Sequence, residues 1–121
     1  RWWERQHPRY GATFRVVVRT AAGENAQAEG VNLSMGGCFV KLAHDQNIAL
    51  KEPVEVELHY EDFDAFRTKG SVSWVSEGSG INPKGVGIAF SRPDRANRLI
   101  LRAIIKVVEA RWIKSAEGAP A

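Results

Sequence analysis

Cysteine is nearly absent: Cys38 is the only one in the chain. One thiol cannot close an intrachain disulfide, which excludes a stapled secreted scaffold. Histidine is sparse as well, with His7, His44 and His59 scattered, and no spacing among them and Cys38 matches a zinc or di-iron ligand set. No apolar run reaches the roughly 18 residues that a spanning helix needs. The opening Arg1-Trp2-Trp3-Glu4-Arg5 lacks the apolar centre of a secretory signal. There is no nucleophile elbow, no Ser-His-Asp context and no glycine-rich dinucleotide signature. The expectation is a cytoplasmic chain without metal, cofactor, catalytic residues or membrane insertion, and not an enzyme. The first residue is not Met, which reads as part of something longer.

What is present suits one domain. The 121 residues are 44% hydrophobic, enough for a core without staples. The net charge is only +3, but it is unevenly spread. Residues 1–19 carry five arginines against Glu4, and residues 91–121 carry seven basic against three acidic side chains, each a net of +4. Residues 43–64 carry seven acidic groups against Lys51, a net of −6. A basic N-terminal arm attracts anions. The acidic middle argues against a surface built to coat DNA or RNA.

Most of the chain alternates with the period of a strand. Phe14, Val16 and Val18 share a face opposite Arg15 and Arg19. Gly23-Glu24-Asn25 is a turn signal, followed by a run through Ala28 to Leu33. Cys38, Val40 and Leu42 alternate with Phe39 and Lys41, and Val54, Val56, Leu58 and Tyr60 with Glu55, Glu57 and His59. A run over 66–75 places Val72 and Trp74 on one face, and Val86, Ile88 and Phe90 form the last alternation. Five or six short strands between turns predict an antiparallel barrel or sandwich.

The ending changes period. Ser91 is the expected cap, with Pro93 and Asp94 in the first turn of a helix reaching about Trp112. Arg95, Arg98, Arg102 and Lys106 fall on one narrow face. Apolar residues cover most of the rest, far more than the stripe of roughly 100° that one packed face requires. The excess suits a second copy of the chain, giving a homo-oligomer through this helix, a protein partner or upstream domain, or a loop of sequence beyond this chain.

Two short motifs carry binding chemistry. Arg5 and Arg9 stand four apart around Pro8, which favours an extended arm over a helix. The guanidinium fork fits the O6/N7 edge of guanine and phosphate oxygens. Asn32-Leu33-Ser34-Met35-Gly36-Gly37 joins two strand runs. There Asn32 and Ser34 offer short donors and acceptors, and Gly37 admits close backbone approach.

In this order, Arg-x-x-x-Arg, Asn-x-Ser-x-x-Gly, the strand Gly85-Val86-Gly87-Ile88-Ala89-Phe90 and a final helix resemble the PilZ domain, a bacterial second-messenger receptor family for cyclic di-GMP. The resemblance spans roughly 5–112. It implies a mainly β fold, a six-stranded antiparallel barrel with a C-terminal α-helix. It divides the chain into a ligand-binding arm (1–12) and the barrel with its helix (13–112), and the small, polar residues at the end read as a disordered tail (113–121). It implies that Arg5 and Arg9 grip guanine edges and phosphates, that Asn32 and Ser34 contact a guanine and the phosphate region, and that Gly37 keeps the turn open. Glu4, an acid beside an anion site, bears on whether one ligand or a stacked pair binds. Trp74 is a weaker candidate, a ring able to stack on guanine but read by alternation as core. The rival readings are a PilZ-like protein-interaction module that binds no nucleotide, and a nucleic-acid-binding barrel.

Overall fold

The structure, a computed structural model, describes residues 8–79 and 82–117. Six strands, β1 (Tyr10–Thr20), β2 (Asn25–Leu33), β3 (Gly37–Lys41), β4 (Pro53–His59), β5 (Phe66–Glu77) and β6 (Lys84–Phe90), precede one helix, α1 (Arg95–Glu117). The strands close an antiparallel barrel in the order β1-β2-β3-β6-β5-β4. β1 closes it by pairing with β2 on one side and β4 on the other.

The alternation works as the pattern predicts on β1 and β4. Val16, Val18, Val56 and Leu58 are buried inside the barrel while Arg15, Arg19 and Glu55 face out. The β1–β2 hairpin turns at Gly23, whose φ of 88° is a left-handed conformation that glycine adopts without a Cβ penalty. Leu101, Ile104 and Val108 of α1 complete the same core, each no more than 2% exposed. Burying a side chain of this size stabilises the fold by about 1.5–3 kcal/mol.

Three expectations need correction. Val72 and Trp74 do not share a face. The β5–β6 register shifts between them, so Val72 is 1% exposed and Trp74 47%. An extra residue in one strand reverses the alternation beyond it. The helix cap is Asp94, not Ser91: Asp94 Oδ1 accepts the Asn97 N–H at 2.8 Å, and α1 begins only at Arg95. The Ser91 N–H is committed to the Lys69 carbonyl, which keeps the chain extended past β6, and Pro93 disfavours helical backbone at the residue before it. Finally, α1 continues to Glu117, beyond the end predicted near Trp112.

Candidate functional site

Arg9 directly precedes β1, and Asn32 lies next to the end of β2. Arg9 Nη1 donates to Asn32 Oδ1 at 3.5 Å, a long contact that joins the two motifs across 23 residues of sequence. The same oxygen accepts the Phe39 N–H of β3 at 3.2 Å. Those two bonds fix the amide plane and leave the Nδ2 group as the donor end.

Asn32 faces outward because β2 is irregular. Ala26 and Gly30 are buried, so strict alternation would turn residue 32 inward. The β2–β3 register shifts between Gly30 and Asn32, after which Leu33 takes the inward position at 0% exposure. The bulge on β5 does the same for Trp74. Two register shifts on separate strands thus bring Asn32 and Trp74 to one external surface.

Ser34 and Gly37 build the turn beneath this surface. Ser34 is 3% exposed. Its Oγ accepts the N–H groups of Gly36 and Gly37 at 3.1 Å each and donates to the Gly37 carbonyl at 3.2 Å. A Cβ on Gly37 would lie 2.1 Å from the Ile88 carbonyl oxygen, so β3 and β6 approach closely only without a side chain there. The turn is therefore held from within, and neither residue lines the groove outside.

That groove, about 550 Å³, is lined by Arg9, Gly11, Val31, Asn32, Phe39 and Trp74. Its volume falls in the ordinary range for a small-molecule site. Phe39 and Trp74 form one aromatic surface, ring centroids 5.1 Å apart at 49°. Gly87 of β6 is the ladder partner of both, and the missing side chain that makes room for the Phe39 ring is that of Gly85, where a Cβ would lie 2.8 Å from Phe39 Cζ. A larger depression of about 780 Å³ lies around Arg19, Pro53 and Lys69, but it contains no residue of either motif. The chemistry, not the size, singles out the first groove.

Arg5 and Glu4, together with Trp2 and Trp3, lie outside the described residues. Phe39 is not among the site residues that the sequence points to, and Gly87 enters only within the strand Gly85–Phe90 that carries the resemblance. Phe39 sits at an outward position by alternation, and only its 4% exposure shows that it is covered. Cys38 is buried in the core, and burial pushes its thiol up to about 12, with the Arg9 charge opposing weakly. Such a thiol is a packing group rather than a nucleophile. Among the described residues no group of His, Cys, Asp and Glu is placed to hold a metal ion, and no helix is long and apolar enough to cross a membrane.

A guanidinium, an oriented amide and a half-exposed indole around one shallow groove suit a planar, anionic ligand. A closed barrel with such a groove on its wall and one helix across its core defines a small class of β domains. The chain belongs to the PilZ domain family, whose profile matches residues 4–106. Among solved structures it is similar to the PilZ domain of YcgR from Escherichia coli with c-di-GMP (TM-score 0.76, 15% identity, 96% of this chain and 99% of that one). It is also similar to the inhibitor of motility of Bacillus subtilis (0.75, 18%, 92% and 52%) and to the MrkH–c-di-GMP complex of K. pneumonia (0.70, 16%, 89% and 53%). The chain spans about half the length of these last two. No curated protein matches it.

Proposed function

We propose that the chain is a non-enzymatic, cytoplasmic receptor module for cyclic di-GMP. The observation that carries this reading is the Arg9–Asn32 contact, which brings the two motifs together at the groove floored by Phe39 and Trp74. Family membership and the c-di-GMP complexes of similar structures support it. Arg9, with Arg5 upstream, supplies the forks for guanine edges and phosphates. Asn32 offers its amide, and Trp74 offers a face on which a base stacks. Ser34 and Gly37 act from below by holding the turn and the strand spacing on which Asn32 depends.

Binding orders the arm from Arg5 to Arg9 against the barrel. Tyr10 offers a route onward: its hydroxyl donates to Glu109 Oε2 of α1 at 2.5 Å, and its ring meets Trp112 edge-on at 6.0 Å. A change at Arg9 is thus one residue from a contact with the helix, where a protein partner or neighbouring domain can read it.

Calorimetric titration with cyclic di-GMP tests the reading. The wild-type chain is expected to bind, and Arg9→Ala and Arg5→Ala each to weaken binding about five- to 150-fold, the worth of one bidentate arginine–guanine contact. Stoichiometry from the same titration separates one ligand from a stacked pair. A folded wild-type chain giving neither heat nor a thermal shift would overturn the reading in favour of a protein-interaction module. Salt-steep binding of oligonucleotides without competition by cyclic di-GMP would favour a nucleic-acid-binding barrel.

A further inference from the structure

The side of α1 that faces away from the barrel carries its own pattern. Ala96, Leu99, Ala103, Lys106, Ala110 and Ile113 are all exposed, Leu99 at 53% and Ile113 at 45%. Their spacing alternates between three and four residues, the repeat that keeps a seam straight along two paired helices. Every second position is alanine, and the others are larger.

We propose that this seam pairs antiparallel with the same seam of a second copy of the chain. The register follows from the side chains. A parallel pair would stack Lys106 on Lys106 and alanine on alanine, which leaves alternate layers crowded and underfilled. The antiparallel pair sets a small residue against a large one in every layer: Leu99 against Ala110, Ala103 against Lys106, and Ala96 against Ile113. The Lys106 stem packs on Ala103 while its ammonium reaches water. Alanine at every second position allows the two helix axes to approach toward the short end of the usual 8–10 Å range, on the order of 8 Å.

The flanks of the seam agree with the same register. On one flank Arg102 comes opposite Glu109 of the second copy, and the two-fold axis repeats the pair. Within one helix these two residues stand two turns apart, about 10 Å along the axis, too far to pair with each other. Tyr10 holds Glu109 Oε2, which orients the carboxylate and leaves Oε1 for the partner guanidinium. On the other flank the half-buried Ile100 comes beside Val107. Each barrel packs on the opposite side of its helix, at Leu101, Ile104 and Val108, so the pairing holds the two barrels apart. The pairing is independent of the nucleotide reading.

Sedimentation velocity of the wild-type chain from micromolar to submillimolar concentration is expected to show a monomer–dimer equilibrium. Arg102→Glu turns two attractions into two repulsions and should weaken it at least tenfold, and Arg102→Glu with Glu109→Arg should restore it. Circular dichroism melts establish that each variant is folded. Cysteine trapping reads the register separately. Leu99→Cys with Ala110→Cys should form an intermolecular disulfide, and Leu99→Cys alone should not, because the two copies of residue 99 then lie about 16 Å apart along the pair. Cys38 is buried and does not compete. A monomer at every concentration, a dimer indifferent to Arg102→Glu, or ready crosslinking through residue 99 alone would overturn the proposal.

Discussion

Phe39 of β3 and Trp74 of β5 meet on the outside of the barrel, centroids 5.1 Å apart, with Gly87 of the intervening strand between them. The half-exposed indole thereby packs against a buried ring tilted 49° to it. Base–aromatic stacking is worth about 1–3 kcal/mol, so Trp74→Ala should weaken cyclic di-GMP binding about five- to 150-fold without a large change in stability. Calorimetry checks the first part and a thermal melt the second. Unchanged affinity would remove Trp74 from the site.

Gly87 allows a graded version of that test. A Cβ there would lie 3.4 Å from Trp74 Cβ and 3.5 Å from Cε3, ordinary contact. Gly87→Ala should fold and bind nearly as the wild type does. Gly87→Leu places branched carbons against Trp74 and should displace the indole, lowering affinity toward that of Trp74→Ala. Tryptophan fluorescence anisotropy reports the loosened indole.

Ser34→Ala should destabilise the protein by about 1–3 kcal/mol, because the Gly36 and Gly37 N–H groups lose their acceptor in a buried turn. Urea unfolding measures this. Gly37→Ala should cost more, since its Cβ meets the Ile88 carbonyl and neither strand can move away without breaking the ladder. Both variants are expected to bind less tightly through the displaced turn. A Ser34→Ala protein of wild-type stability with lost binding would assign the hydroxyl to the ligand instead.

The acid limb of stability should run in part through Glu57, beside Glu61 and Asp94, whose carboxyls are held low by hydrogen bonds from Arg111 and Asn97. Hydrogen bonds from His59 (2.8 Å) and then Arg67 (2.9 Å) hold its carboxyl below the ordinary 4.5. A carboxylate depressed in the folded state contributes stability above its unfolded value and loses it as pH falls below that value. Stability should therefore decline below about pH 4.5, and Glu57→Gln should lower stability near neutral pH while flattening the acid decline. Thermal midpoints between pH 3 and 7, on the order of one per half unit, separate the two curves.

The cap of α1 distinguishes neighbouring residues. Asp94→Ala should lower the thermal midpoint and reduce helical circular dichroism, since the Asn97 N–H loses its acceptor. Ser91→Ala should change neither, because Ser91 is held by its backbone N–H to Lys69.

By itself the sequence determined the strand faces of β1 and β4, the change to a helix after β6, and the motifs that resemble the PilZ domain. Each depends on local periodicity or on residue types at short spacing, and both survive folding unchanged. Tertiary structure alone decided which way Asn32 and Trp74 point. Strict alternation sends both inward, and only the register shifts against β3 and β6 send them out. A bulge is settled by how neighbouring strands fit, so a single strand's pattern carries no mark of it. The pairing of Arg9 with Asn32, the meeting of Phe39 with Trp74 across Gly87, and the choice of Asp94 over Ser91 as cap are of the same kind. Each depends on which backbone groups the closed barrel has already committed.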